Sequence, residues 1–349
     1  MGLETLLTQD LEYRERRTLE NNHLLDVSDL KTYFFTKRGL VRAVDGVSFK
    51  INRGSVFGLV GESGCGKSVT ALSILKLVPD PPGKIVAGRV LFEGEDLLQK
   101  NEKEMEDIRG GKISMIFQDP LTSLDPIVRV GDQIVEAIRA HTDLNSDRAW
   151  EKAVKILGEV GIPDAEVCAK QYPFQLSGGM RQRVMIAIAL VTEPHLLIAD
   201  EPTTNLDVTI QAQILTLLKG IQSKTNTSVL FITHNLGIVA WICNELAVMY
   251  AGRIVEYGST KSVFNNPLHP YTTLLLKAVP RLDMCSKSVL ESIEGDVPDL
   301  VNPPLGCRFH PRCPYAKKIC SSIEPPMIET EEAHYAACLI YDKEKWGSS

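Results

Sequence analysis

From Leu24 onward, short apolar runs mark the folded part of the chain. "LLDVSDLKTYFF", "RAVDGVSFKI" and "SVFGLVG" read as β-strands, with a turn at "NRG" (52–54) between the last two. After Gly66 the period becomes helical, with Ala71, Leu72, Leu75 and Val78 on one face. "PDPPG" ends that helix, because proline lacks an N–H and clashes with the preceding turn. "KISMIFQ" (112–118) is a further strand, and the stretch 131–192 reads as helices in "DQIVEAIRA", "DRAWEKAVKILGEVG" and "GGMRQRVMIAIALV". Two nearly unbroken apolar runs follow, "HLLIAD" (195–200) and "SVLFITH" (228–234), with the helical "VTIQAQILTLLKGIQSK" between them. Apolar strands joined by a helical crossover predict a parallel sheet covered on both faces, an α/β fold. "ELAVMYAGRIVEYG" (245–258) reads as a hairpin turning at "AG". Beyond about residue 266 proline becomes frequent, and "PDLVNPPLG" reads as irregular connection. Residues 1–23 are charged and aperiodic, an extension ahead of the fold.

Length adds that 349 residues exceed what one core usually organises, so extra units beside a large domain are expected. With 44% hydrophobic and 23% charged residues the composition is that of an ordinary globular protein. A net charge of −6 supplies no basic footprint for nucleic acid. The longest apolar stretch, "VMIAIALV" (184–191), is far too short to span a bilayer. "MGLETLLTQDLEYRERRT" is too charged for a secretory signal and matches a myristoylation pattern only loosely. These features point to a cytosolic setting, where thiols stay reduced and clustered cysteines are metal ligands or free thiols.

"GESGCGKS" (61–68) has the spacing G-x-x-x-x-G-K-[ST], after a strand and before a helix. Its glycines, Gly61, Gly64 and Gly66, let successive N–H groups point inward as an anion nest, and the helix adds the positive end of its dipole. Gly61, Ser63, Gly64, Cys65, Gly66, Lys67, Ser68 and Val69 are therefore expected to cradle phosphates. Lys67 reaches the β- and γ-phosphates, and Ser68 ligates Mg²⁺. "LLIADE" (196–201) sets Asp200 and Glu201 at the C-terminal edge of the sheet, where open α/β folds bind ligands. Asp200 is expected to hold Mg²⁺, and Glu201 to polarise the attacking water.

"LSGGMRQRV" (176–184) is a second phosphate-binding device, a serine cap followed by Gly178 and Gly179 at a helix start. One γ-phosphate does not need two such devices in one chain, so the second implies a nucleotide shared between two copies. The motif strongly resembles the signature of ABC-type ATPases, in which one subunit's signature closes over the nucleotide of the other. The resemblance implies a P-loop NTPase with a parallel-sheet RecA-like core, an antiparallel β subdomain, a helical signature subdomain (about 126–192) and a small Cys-rich C-terminal extension. It implies roles in nucleotide binding for Ser177, Gly178 and Gly179, a Q-loop at Gln118 that also faces Mg²⁺, a D-loop at 205–207 with Asp207, and a switch histidine at His234. An aromatic from "YFFTKRG" stacks on adenine; Phe34 fits the register, with Tyr33 and Phe35 adjacent.

"PLTSLDPIVRVGDQI", "DEPTTNLDVTIQAQIL", "NPLHPYTTLLLKAVP" and "GCRFHPRCPYA" narrow the likeness to ATP-binding subunits of oligopeptide and dipeptide importers, over about 24–340. The D-loop departs from the family in carrying Asn205, where alanine is usual. The implied division is an N-terminal extension (1–23), a nucleotide-binding domain (24–265) and an extension (266–349). Implied partners are a second ATP-binding subunit, related or identical, two transmembrane permease subunits and, indirectly, an extracellular substrate-binding protein, with the chain on the cytoplasmic face of the membrane. The tail most often accompanies peptide importers, so peptide is the expected cargo, with glutathione, an oligosaccharide or a metal chelate as alternatives. ATPases of DNA repair, translation and iron–sulfur assembly share the cassette. The first need long coiled coils between the phosphate motifs, and only about 110 residues separate Lys67 from Ser177. The second need two cassettes, and the third lack this tail.

Cys307, Cys313, Cys320 and Cys338 gather in that tail with spacings x₅, x₆ and x₁₇. Structural zinc sites usually draw on C-x₂₋₄-C pairs, and none occurs here. The subfamily tail is similar to segments that bind a [4Fe–4S] cluster; zinc and unligated thiols are the alternatives. A bound metal would staple a segment that otherwise lacks a core.

Overall fold

The computed structural model describes residues 23–119, 123–204, 206–279 and 293–347. The extension through residue 22, Asn205 and Cys285 lie outside the described residues. Strands β1 (His23–Thr36) and β2 (Gly39–Asn52) pair antiparallel. After β3 (Val56–Val60) the glycine loop leads into α1 (Lys67–Ile74). This helix closes at Leu75, short of the apolar pattern that reached Val78, as Lys76 turns to φ 53°. Next, β4 (Gly83–Phe92) and β5 (Glu95–Asp96) complete a four-stranded sheet in the order β2-β1-β4-β5. The hydrophobic pattern does not mark β4, because residues 84–89 are exposed or half-buried and leave no apolar alternation to read.

α2 (Glu102–Ile108) starts with a reciprocal cap between Asn101 and Glu104 and leads to β6 (Ile113–Ile116). Helices α3 (Val130–His141), α4 (Ser146–Glu159), α5 (Ala165–Ala169) and α6 (Gly178–Leu190) follow. Ile134, Ile138, Ala149, Ala153, Leu157 and Val184 pack together between them. Then come β7 (Leu196–Asp200), α7 (Val208–Thr225), β8 (Ser228–Thr233), α8 (Leu236–Ile242), β9 (Glu245–Tyr250) and β10 (Arg253–Ser259). The β9–β10 hairpin turns at Ala251 and Gly252, both at positive φ, as its "AG" foretells. α9 (Thr260–Asn265) and α10 (Pro270–Lys277) lead to the tail, which holds β11 (Ile328–Glu331), β12 (His334–Ala336) and α11 (Lys343–Trp346).

The larger sheet has the order β11-β12-β10-β9-β3-β8-β7-β6. From β9 to β6 it is parallel, and every residue of β3, β7 and β8 is buried. Parallel strands end at one edge. That edge therefore receives the glycine loop after β3, Gln118 after β6, Asp200 and Glu201 at the end of β7, and His234 after β8.

The tail is not the coreless segment that its proline content suggests. β12 pairs with β10 through Glu256↔Ala336 and Tyr257↔Tyr335, and β11 pairs with β12, so the tail extends the central sheet. Phe309, Ala336 and Leu339 are buried. Glu256, fully buried, accepts from the N–H groups of Leu268 and His269 and pairs with His334. Strands of three and four residues and a lone buried Phe are too short to leave a periodic signal, which is why the pattern misses them.

Candidate functional site

In the glycine loop, positive φ angles at Gly61, Gly64 and Gly66 reverse the chain over a few residues. Two of these glycines also have no room for a side chain. A Cβ on Gly61 would stand 2.1 Å from the Met249 carbonyl oxygen, and one on Gly66 would stand 2.2 Å from that of Ala43. The loop thus rests on β9 and β2, and the Gly252 N–H at the hairpin tip donates to the Cys65 carbonyl (2.8 Å). Lys67 is buried, and its Nζ donates to the carbonyls of Gly61 (2.8 Å) and Glu62 (2.9 Å). Cys65 lies under this ammonium, its thiol pushed up by burial. Ser63 and Gly64 are exposed at the loop tip, while Ser68 and Val69 are half-buried on the first turn of α1. That turn has no side-chain cap among the described residues, as an anion-binding helix start requires.

Across the loop stands Asp200, buried, with no hydrogen-bond partner for its Oδ1 among the described residues. Burial raises its pKa; a hydrogen bond from Ser68 opposes the rise, the Glu201 charge adds to it and the Lys67 charge opposes it, leaving it above the ordinary value. An orphaned, desolvated carboxylate oxygen beside a serine hydroxyl is the donor set a hard divalent cation takes. Ser68 and Asp200 therefore fit the expected Mg²⁺.

Glu201 follows in a left-handed backbone conformation (φ 47°), which costs a residue with a side chain on the order of 1 kcal/mol. Its carboxylate gathers three side chains. Oε1 meets His234 Nδ1 (3.0 Å), and Oε2 accepts from Gln118 Nε2 (3.1 Å) and Thr204 Oγ1 (2.9 Å). Burial acts to raise its pKa, but the bonds from His234 and Thr204 and the charge of Lys67 outweigh it and hold the carboxyl below its ordinary value. Gln118, Glu201 and His234, three residues from three strand ends, thus form one cluster beside Asp200 and Lys67.

The second device stands apart. Ser177 and Gly178 are exposed, and Ser177 Oγ accepts only from the Met180 N–H at its own helix end (3.4 Å) among the described residues. A Cβ on Gly178 would meet nothing within 4 Å, whereas one on Gly179 would approach Ile210 of α7 to 3.0 Å. Asp207 is exposed too and caps α7 through the Ile210 N–H (2.9 Å). In β1, Tyr33 donates to Asp45 (2.6 Å), the half-buried Phe34 ring lies over Gly83, and Phe35 is 58% exposed.

Cys307, Cys313, Cys320 and Cys338 all line one cavity of about 20 Å³, roughly the room one water needs. Burial pushes Cys307 up to about 11 and Cys338 up to about 12, and neighbouring thiols add to the rise. Among the described residues no three His, Cys, Asp or Glu side chains form a group that could hold a metal ion. The fold brings the four expected ligands to one cavity without forming a coordination shell among the described residues.

Sequence reading did not single out Thr204, Glu62, Tyr271 and Arg312. Tyr271 and Arg312 stand in "HPYT" and "HPRC", motifs noted only as family marks. The contacts of Tyr271 and Arg312 with Glu62 span 209 and 250 positions, which no local pattern carries, whereas Thr204 meets Glu201 from three positions away.

The ABC transporter family profile matches residues 44–204, and that of the oligopeptide/dipeptide transporter C-terminal region matches residues 255–320. The oligopeptide transport ATP-binding protein OppD of Bacillus subtilis (strain 168) is 51% identical over 312 residues, 89% of this chain and 87% of that protein. The dipeptide transport ATP-binding protein DppD of the same organism is 50% identical over 320 residues, 92% of this chain and 95% of that protein. Among solved structures, cbiO1 from Clostridium perfringens, part of the ABC transporter complex cbiONQ, superposes with a TM-score of 0.60 at 28% identity, over 70% of this chain and 92% of that one. The dimeric ATP-binding cassette MJ0796 bound to ADP and Pi has a TM-score of 0.61 at 23% identity, over 68% and 98%, and shares the fold. With half its residues shared across nearly its whole length, the chain belongs to the ABC-type ATPases, in the family of ATP-binding proteins of oligopeptide and dipeptide transporters.

Proposed function

We propose that this chain hydrolyses ATP to drive the import of peptides through a membrane ABC transporter, as one of two nucleotide-binding subunits docked on two permease subunits. The observation that carries this reading is the cluster of Gln118, Glu201 and His234 on one carboxylate, beside the buried Lys67 and the unpartnered Asp200 oxygen. In it, Lys67 and the loop N–H groups hold the phosphates, and Phe34 stacks on the base. Ser68, Asp200 and Gln118 would hold Mg²⁺, which when bound neutralises charge on the phosphate oxygens. Glu201, kept ionised by its neighbours, orients the attacking water and accepts its proton. His234 fixes the Glu201 rotamer. Ser177, Gly178 and Gly179 serve a nucleotide held by the second subunit, with Asp207 at the junction, which accounts for their exposure here.

The division into residues 24–265 and 266–349 belongs to this reading, as does a place on the cytoplasmic face of the membrane. No helix among the described residues is long and apolar enough to cross a membrane. Peptide cargo follows from the relatives' names; an extracellular binding protein would deliver it. Glu201→Gln tests the site. In the assembled transporter it should lower turnover by about a hundredfold or more while leaving ATP affinity intact, because the amide keeps the shape and loses the charge. Near-normal hydrolysis would remove Glu201 from its role.

We also infer that the four cysteines take up a [4Fe–4S] cluster, supported by their convergence on one cavity. Binding would require the tail loop to open around it and the thiols to ionise. Protein purified without oxygen should then be brown and hold about four iron and four sulfide per chain. A colourless preparation with one tight zinc ion would install zinc instead, and a metal-free one would leave plain thiols.

A further inference from the structure

Glu62, the second residue of the phosphate loop, is held from outside the cassette by two side chains that follow it by more than two hundred residues. Arg312 sets both guanidinium nitrogens against its carboxylate, Nη1 to Oε2 at 2.8 Å and Nη2 to Oε1 at 3.1 Å. The Arg312 side chain is only 5% exposed. Its other hydrogen bonds go to the carbonyls of Ile293 (3.3 Å) and Glu294 (3.0 Å) and to the Tyr250 hydroxyl (3.4 Å). The Glu62 N–H donates to the Tyr271 hydroxyl (3.0 Å). Tyr271 and Tyr250 in turn pack on Phe309, at 5.3 and 5.1 Å between ring centroids. On its inner side the Glu62 carbonyl accepts from Lys67 Nζ (2.9 Å). One residue therefore links the tail to the lysine of the anion nest.

Electrostatics gives this link a consequence. A carboxylate at the rim of a loop that must receive a polyanion repels it unless a cation neutralises it. The fork of Arg312 both neutralises the Glu62 side chain and fixes its direction. Removing one partner of such a pair leaves the other charge uncompensated.

We propose that Arg312 and Tyr271 are positioning residues for the phosphate loop, neutralising and aiming Glu62 so that the tail sets the affinity for the nucleotide's phosphates. The proposal rests on the reading of residues 61–68 as the ATP site. Arg312 immediately precedes Cys313, so the four-cysteine loop and the phosphate loop share this contact.

The test uses the full-length chain, a fluorescent ATP analogue and, as the reference for the site itself, Lys67→Ala. Arg312→Gln is expected to weaken binding about tenfold and to raise KM in the assembled transporter with kcat little changed. Glu62→Gln removes the charge that Arg312 neutralises, so the double variant Arg312→Gln/Glu62→Gln should recover most of the lost affinity. A purely structural role for Arg312 would give no such recovery. Tyr271→Phe deletes one hydroxyl from a folded core and is expected to cost about threefold, which keeps the test alive if Arg312→Gln does not fold. The proposal is overturned if Lys67→Ala loses binding while Arg312→Gln and Tyr271→Phe both bind as wild type, or if the double variant stays as weak as Arg312→Gln. Unchanged binding in Lys67→Ala would instead remove the ATP-site reading itself, and this proposal with it.

Discussion

Helices α1 and α6 both begin at glycine-rich turns, yet their surroundings are opposite. The start of α1 is packed on β2 and β9, carries a buried lysine and has no side-chain cap. The start of α6 is exposed, and Ser177 caps it. Similar local chemistry has been placed once inside a finished cleft and once on a bare surface. A glycine-rich helix start acts as an anion site only when other elements supply counter-charge and exclude water. Around α1, the buried Lys67 supplies that charge, and close packing on β2 and β9 keeps water out. Around α6 no described residue does, and under the proposed function the second subunit's nucleotide would face it.

The largest expected effects separate these two places. Lys67→Ala should weaken ATP binding by the isolated chain about a thousandfold, comparable to loss of a key phosphate-site cation. Gly178→Asp should leave that binding within about twofold, yet cut hydrolysis by the assembled transporter about a hundredfold or more through like-charge repulsion across the closing interface. Normal hydrolysis in the assembled Gly178→Asp complex would show that this surface faces no active nucleotide. Ser177→Ala is a smaller change. Loss of an N-cap costs about 0.5–2 kcal/mol, and a bond as long as 3.4 Å belongs at the lower end, read as a small fall in Tm. The smallest effect is on pH dependence. Because the folded pKa of Glu201 is depressed, its contribution to stability is present above the unfolded value and is lost as pH falls through the folded one. His234→Ala should move that value upward and remove under about 1 kcal/mol at neutral pH, measurable as a flatter acid limb in urea unfolding.

What could be read along the chain follows the range of the interaction. The apolar runs of β3, β7 and β8, the spacing of "GESGCGKS" and the "AG" of the β9–β10 turn are local. Each depends on residues within about ten positions, so the parallel core, the glycine loop and the hairpin were all legible. The exposed edge of β4 and the short β11 and β12 were not, because too few of their residues alternate between core and solvent. The four cysteines were visible as a cluster, but only folding showed that they close on a cavity with room for about one water.

By itself, the sequence determined which residues end the parallel strands. Since such strands must finish at one edge, it also determined that Lys67, Asp200, Glu201 and His234 would share that edge. Tertiary structure alone decided how they face each other. The left-handed turn at Glu201 brings its carboxylate to His234 and Gln118, and Thr204 joins from the next loop. It alone brought Arg312 and Tyr271 to Glu62 across more than two hundred residues. The reason is that secondary structure is set by neighbours a turn or a strand away. An ion pair or a single hydroxyl bond between distant segments has no period, and it exists only once the core beneath it has packed.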